Sequence, residues 1–203
     1  MHKLLKRLLD LTFSLIILFF ISPLMIIICL ICVITHGFPI FFIHERLGLN
    51  GKPFKMIKFR SMLVAQSISA EDDVKRITKF GRLLRKTSLD EVPVLFNVIK
   101  GNMSLVGPRP MPLKYLKRFN DYQIMRLNIK PGITGLAQIS GRNNLSWEKK
   151  FSLDIKYLSK QSFAFDIYIL LKTFMIVFKG TGVNSLESEI MPEFMGNEDG
   201  NNK

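Results

Sequence analysis

Acidic residues are scarce in this chain: 16 aspartates and glutamates stand against 29 lysines and arginines, a formal net charge of +13 over 203 residues. Five of those acids (Glu187, Glu189, Glu193, Glu198 and Asp199) fall in residues 181–203 against Lys203 alone. That segment therefore carries −4, and residues 1–180 carry +17. A surface so basic meets phosphate somewhere: nucleic acid, anionic lipid or a phosphorylated small substrate. Composition does not choose among them. Cysteine is scarcer still. Cys29 and Cys32 have C-x-x-C spacing but lie in an apolar run, with no second pair and no histidine at ligand spacing on polar ground. They read as ordinary apolar thiols of a reducing compartment. The length suits one domain with appendages.

What is present begins with an apolar run. Leu11 to Thr35 gives 25 residues without a charge, roughly 37 Å as a straight helix against a hydrocarbon core of about 30 Å. It is too long for a cleaved signal peptide, and no small-residue cleavage site follows it. Ser22-Pro23 falls at its middle, where proline removes one backbone hydrogen bond and the Ser22 hydroxyl can take up the freed carbonyl. Both flanks are basic: His2, Lys3, Lys6 and Arg7 before, Arg46, Lys52, Lys55, Lys58 and Arg60 after. Positive flanks prefer the cytoplasmic side. A helix that breaks at Ser22-Pro23 and returns to the same face fits this pattern, and so does a proline-kinked spanning helix. The residues alone leave both open.

Beyond the run, apolar and aromatic stretches flank the turn cluster "GLNGKP" and predict a β-hairpin within residues 39–62. Residues 71–86 predict a basic helix from the spacing of Ile77, Phe80, Leu83 and Leu84. "SLDE" matches a capping box with Ser88 at the N-cap and Glu91 at N3; Pro93 suits instead a register with Asp90 as N-cap. Either way Asp90 belongs to the first turn of a helix running through "VPVLFNVIKG". An ionised carboxylate beside free backbone N–H groups and Arg85 forms part of a phosphate site. "GNMSLVGPRPMP" (101–112) and "KPGITGLAQISGRNNLSW" (130–147) read as long loops, each presenting one arginine, Arg109 and Arg142, for bidentate capture of phosphate. Pro108 and Pro110 stiffen the backbone around Arg109. Residues 163–180 read as a core helix or an interfacial one, because Asp166 and Lys172 are too costly to place in lipid. The acidic end suggests partial disorder.

"KFRSM", "SLDEVPVLFNVIKGNMSLVGPRP", "RLNIKPGITGLAQISGRN" and the Ser22-Pro23 break, in that family's order and over about residues 3–178, resemble the bacterial monotopic phosphoglycosyl transferases in their short form. The resemblance implies a mainly α fold with a small β-hairpin. It implies a re-entrant membrane helix and basic flank over residues 1–38, and a cytoplasmic catalytic domain over 39–180 with interfacial amphipathic helices. An acidic tail follows over 181–203. The implied location is the cytoplasmic face of a bacterial inner membrane. The implied reaction moves a phosphosugar from a UDP-sugar, by family habit an acetamido sugar, to undecaprenyl or another polyprenyl phosphate and releases UMP. This would be the first membrane step of capsule, O-antigen, exopolysaccharide or glycoprotein glycan synthesis, with downstream glycosyltransferases as partners. Asp90 is then the nucleophile, and Glu91 its helper through Mg²⁺ or orientation. Arg109, Arg142 and Arg85 bind phosphate, and Ser22-Pro23 turns the membrane helix back. A carboxylate attacking an anionic diphosphate needs such cations to neutralise repulsion.

Two readings of other classes compete. The +17 of residues 1–180 suits a membrane-anchored nucleic-acid-binding module, but that reading has no use for the Asp90-Glu91 pair, and no usual nucleic-acid motif is present. A non-catalytic membrane scaffold has no use for Arg109 and Arg142.

Overall fold

The computed structural model describes residues 2–64, 76–141, 144–178 and 193–196. The chain divides into two compact units. One comprises Met1–Leu8, Glu45–Phe54 and Gly101–Lys203; the other Leu9–His44 and Lys55–Lys100.

The second unit contains most of α1 (His2–His36), a helix with Pro23 inside it. Proline has no N–H, so the carbonyl four residues back, that of Phe19, loses its usual partner. The Ser22 hydroxyl donates to that carbonyl at 2.9 Å, as expected from the sequence. The helix is long and apolar enough to cross a membrane by length and composition. Its aromatic and branched side chains are uncovered: Phe20 is 78% exposed and Ile34 83%. One stripe is buried, where Ile28 and Cys32 pack with Phe59 and Leu84, and Met25, Cys29, Ile40, Phe80 and Leu89 join them. Cys29 and Cys32 are free thiols, in line with the apolar reading. The end of α1 is closed by Arg60, whose guanidinium donates to the carbonyls of His36, Gly37 and Phe38. A buried arginine thus satisfies the orphan carbonyls of a helix C-terminus. That corrects one part of the charge argument, because Arg60 is spent inside the protein.

The expected antiparallel hairpin is present as β1 (Phe41–Leu47) and β2 (Pro53–Phe59). Its turn closes with Gly48 N donating to Lys52 O at 2.9 Å, and Asn50 and Gly51 both take positive φ. The basic helix is shorter than residues 71–86. It is α2 (Lys79–Lys86), opened by the Thr78 hydroxyl, which accepts from Gly81 N at 2.9 Å. Residues 71–75 of that expectation lie outside the described residues. A single 3₁₀ turn, Leu89–Glu91, follows, and then α3 (Val94–Ile99).

In the first unit, "SLV" and "GIT" are not loop. They form a short parallel pair, β3 (Ser104–Val106) and β4 (Gly132–Thr134), with Ser104 opposite Gly132 and Val106 opposite Thr134. A Cβ at Gly132 would stand 2.1 Å from Gly107 N, so the two motif backbones touch where only glycine fits. Then come α4 (Asp121–Ile124), α5 (Leu136–Ser140), α6 (Trp147–Lys160) and α7 (Phe163–Phe178). The core joins Leu47, Met111, Tyr115, Leu127, Phe151 and Phe194. Phe194 belongs to the acidic end that the sequence left without a role. Its N–H donates to the Tyr115 hydroxyl at 3.0 Å, and Glu193 pairs with Lys114 and Arg118.

One face of α7 is buried at Asp166 and Ile169, while Leu171 and Phe174 are exposed. The buried carboxylate is neutralised. Lys6 Nζ lies 2.9 Å from Asp166 Oδ2 and also donates to Val106 O, and the Tyr157 hydroxyl donates to Asp166 Oδ1 at 2.5 Å. Lys6, counted above as a flanking charge, is therefore a structural cation.

Candidate active site

The turn that carries Asp90 is shaped by an unusual residue before it. Ser88 has φ 57 and ψ 17, the left-handed conformation that glycine adopts more readily at a helix end. For a side-chain-bearing residue this costs roughly 1–2 kcal/mol. Ser88 N donates to Arg85 O as α2 ends, and Ser88 O then accepts from Glu91 N at 3.2 Å. One residue thus stops one helix and starts the next turn. The capping box is absent: the Ser88 side chain makes no cap bond, and Pro93 precedes α3 as its N-cap. Asp90 instead sits inside a 3₁₀ turn that runs through Val92 and Pro93 into α3, with Leu95 N donating to Val92 O and Phe96 N to Pro93 O.

Three contacts fix that turn. Lys58 on β2 reaches Glu91, Nζ to Oε1 2.6 Å. Asn97 on α3 is buried and satisfies both backbone groups of β2 that face it, donating to Lys55 O at 2.7 Å and accepting from Ile57 N at 3.2 Å. Arg85 on α2 donates from Nε to the Ser61 hydroxyl at 2.9 Å. The helix can come this close because of Gly81, where a Cβ would lie 1.9 Å from Ser61 O. "KFRSM" and "SLDEVPVLFNV" are therefore one construction, and Asp90, Glu91 and Arg85 stand within it.

The other predicted residues belong to the first unit. Pro108-Arg109-Pro110 is held at successive backbone groups. Gly107 N donates to Thr134 O, Pro108 O accepts from Gly132 N, and Arg109 O accepts from Arg126 Nη2 at 2.7 Å. Arg126 is itself buried between the rings of Phe119 and Phe151, with both Nε and Nη2 on Asp154 Oδ2. Burial pushes the Asp154 carboxyl up, and Arg126 opposes that shift. The guanidinium of Arg109 is exposed on this rigid seat. The depression beneath it, lined by Leu47, Pro108, Pro110, Arg126 and Pro131, has room only for water-sized groups, too little for a nucleotide sugar. What the seat offers is an open cationic surface. Arg142 lies outside the described residues.

Two cations near Arg109 were not read as site residues from the sequence, Arg46 having been counted only in the basic flank. Arg46 is paired across a β-bridge with Pro112, and burial and then Arg109 hold its guanidinium below the usual arginine range. Lys150 is buried with Nζ 5.0 Å from the Trp147 ring centre; burial and then Arg109 lower its pKa to about 8. A lysine at an otherwise apolar position of α6, one turn before Asp154, was the only sequence signal. Asn97 had a comparable one, an amide inside "VLFNVI".

Among the described residues no group of three or more His, Cys, Asp or Glu could hold a metal ion. Asp90 and Glu91 are two adjacent carboxylates, which suits Mg²⁺ held mainly by water and substrate phosphate oxygens rather than a protein cage.

The chain as a whole is similar to known proteins. The family described as bacterial sugar transferase matches residues 1–180. The chain is 43% identical over 197 residues to the sugar transferase EpsL of Bacillus subtilis, covering 96% of this chain and 98% of that one. It is 41% identical to the undecaprenyl-phosphate galactose phosphotransferase of Salmonella typhimurium, over 89% of this chain and 42% of that protein. It is 39% identical to the UDP-glucose:undecaprenyl-phosphate glucose-1-phosphate transferase of Escherichia coli, over 88% and 40%. The chain thus spans nearly all of the first relative and about two-fifths of the other two. It belongs to the bacterial sugar transferase family.

Proposed function

We propose that this chain is a phosphoglycosyl transferase that moves a sugar 1-phosphate from a UDP-sugar to undecaprenyl or another polyprenyl phosphate. The names of the longer relatives support the reaction class. The observation that carries it here is the turn holding Asp90 and Glu91, built at the expense of a left-handed Ser88 and pinned by Lys58. A strained backbone beside paired carboxylates is more than a helix start requires.

In this reading Asp90 attacks the β-phosphorus of the donor. The bond from that phosphorus to the bridging oxygen breaks, UMP leaves with the oxygen, and an acyl phosphate joins Asp90 to the sugar phosphate. An oxygen of the polyprenyl phosphate then attacks the same phosphorus, releasing Asp90 and giving a polyprenyl diphosphate sugar. Splitting the transfer lets a soluble donor and a lipid acceptor use one site in turn. Arg85, Arg109 and Arg142 are each assigned to phosphate oxygens from their motifs. Glu91, held by Lys58, orients the carboxylate pair, and Asp90 and Glu91 are the residues that would hold Mg²⁺. Such an ion supplies neutralisation of the phosphate charge when bound.

We place the uncovered side chains of α1 in lipid, with Ser22-Pro23 turning the helix back to the cytoplasmic face of the bacterial inner membrane. The sugar is proposed as an N-acetylated amino sugar, while galactose and glucose appear in the names of the longer relatives. A panel of UDP-sugars tests the reading. UMP release beyond one equivalent per chain that depends on undecaprenyl phosphate, strongest with an acetamido sugar, is expected. No release from any UDP-sugar would overturn the function, and preference for a hexose would overturn the choice of sugar.

A further inference from the structure

Within the second unit, hydrogen bonds run in one direction from the first turn of α2 to the last turn of α1. Thr35 Oγ1 lies 2.7 Å from the carbonyl of Ile31, an oxygen with no hydrogen to give. The Thr35 hydroxyl therefore places its only proton there. The same Oγ1 is 2.7 Å from His36 Nδ1 and can only accept from it, which puts the ring proton on Nδ1. His36 Nε2 is then a bare lone pair, and the Thr78 hydroxyl, 2.8 Å away, donates to it. Thr78 Oγ1 accepts in turn from Gly81 N at 2.9 Å as the N-cap of α2. Each hydroxyl donates once and accepts once, and the neutral ring does the same. His36 is buried, where aligned hydrogen bonds of this kind strengthen one another.

The seating of α2 depends on this series. The helix has eight residues, Lys79–Lys86, of which only Gly81 and Leu84 are buried. A helix so short does not hold its shape alone, and so little burial fixes its position weakly. Polar anchors fix it instead. At its start Thr78 is tied to His36, and near its end Arg85 is tied to Ser61. Between them Gly81 lies against the Ser61 backbone with no room for a side chain. That contact is a pivot. Without the His36 bond α2 can turn about Gly81, and its far end moves with it. The far end leads to Ser88, whose N–H reaches back to Arg85 O and whose carbonyl starts the turn of Asp90 and Glu91. The opposite side of this frame is already fixed, because Arg60, next to Ser61, donates to the carbonyls of His36, Gly37 and Phe38.

We propose that His36 is a positioning residue for the transfer reaction: through Thr78 and α2 it ties the end of α1 to the turn that carries Asp90. This rests on the phosphoglycosyl transferase reading for what Asp90 does, while the tie itself stands on the hydrogen bonds. His36 acts through Thr78 and α2 rather than on a substrate. A displacement of the end of α1 is carried by the series into the first turn of α2, and from there to the nucleophile. Misplacing a reacting group by about 1 Å costs on the order of a hundredfold in rate. The loss falls on kcat more than on KM, because the bond from carboxylate to phosphorus forms only in the transition state.

Two substitutions separate the ring nitrogens. The amide of His36→Asn matches Nδ1 and is too short for Thr78, whereas that of His36→Gln reaches the place of Nε2. With the full chain in nanodiscs, amide hydrogen exchange over residues 79–91 should quicken about tenfold or more in His36→Asn and stay near wild type in His36→Gln. In His36→Asn, kcat for UMP release with undecaprenyl phosphate present should fall about tenfold or more, with KM for the UDP-sugar within about twofold. His36→Gln and Thr78→Ser, which keep the link, should recover most of kcat. Lys79→Met, an exposed neighbour, should leave both readings unchanged. The nitrogen NMR spectrum of histidine-labelled wild type should show His36 with the proton on Nδ1 and none on Nε2. A proton on Nε2, wild-type exchange in His36→Asn, or a loss of kcat matched by an equal rise in KM would each overturn the proposal. Equal effects in Lys79→Met would do the same. Exchange that responds as expected in a protein that releases UMP from no UDP-sugar would overturn the proposed reaction and leave the tie from His36 to the Asp90 turn standing.

Discussion

Lys58 on β2 holds Glu91 at 2.6 Å, so the hairpin and the Asp90 turn are joined through the carboxylate next to the proposed nucleophile. The pair is partly exposed, and ion pairs of that kind contribute about 1 kcal/mol or less to stability. Lys58→Met should therefore unfold within a few degrees of wild type while kcat for UMP release falls at least tenfold, and Lys58→Arg should recover part of it. Thermal unfolding read beside kcat checks this, and equal activity in Lys58→Met would remove Glu91 orientation from the account.

The Lys6–Asp166 pair is a different case, because Asp166 is buried and also bonded by Tyr157. Removing the lysine leaves a buried carboxylate without its cation, a change that costs about 3–5 kcal/mol. Lys6→Met should show a loss of that size in denaturant unfolding. Lys6→Met with Asp166→Asn should restore much of it. An additive double variant would mean that the two residues do not act as a pair.

Phe194 is 2% exposed in an aromatic cluster with Tyr115, Trp147 and Phe151. Phe194→Ala should destabilise the protein by about 3–5 kcal/mol, as for other large core truncations. The exposed Met195 is the control, since Met195→Ala should change unfolding very little.

The Ser22 hydroxyl on Phe19 O makes the proline site tolerable in lipid, and the re-entrant reading requires both ends of the chain on one side. Tags at residue 2 and at the C-terminus should both react with impermeant reagents only after the cytoplasmic face is opened. Labelling of the two tags from opposite faces would establish a spanning helix instead.

The hairpin was readable because "GLNGKP" places turn residues between two apolar stretches, and α1 because a charge-free run has few alternatives. The sheet of β3 and β4 was not. Three-residue strands are too short to show alternation, and their glycines and prolines resemble loop until Gly107 and Gly132 are seen in contact. Asp90 and Glu91 were singled out by their motif, but the structure matches neither register read there, the Ser88 capping box or the Asp90 N-cap, because a left-handed serine leaves no local signature. Arg46, Lys150 and Asp154 were hidden for a further reason. Their meaning comes from partners far along the chain, and a single charged residue on a helix is ordinarily solvated. Lys6 and Arg60 show the converse, charges that looked like a flank and are consumed by Asp166 and by the end of α1.

The central claim is a covalent link to Asp90. Protein incubated with the UDP-sugar donor alone, without polyprenyl phosphate, should gain the mass of one sugar phosphate per chain, mapped to Asp90 and released on adding undecaprenyl phosphate. Asp90→Asn should form no adduct and lose turnover. Normal turnover with no adduct on Asp90 at any time would contradict the account and replace it with direct transfer between the two substrates.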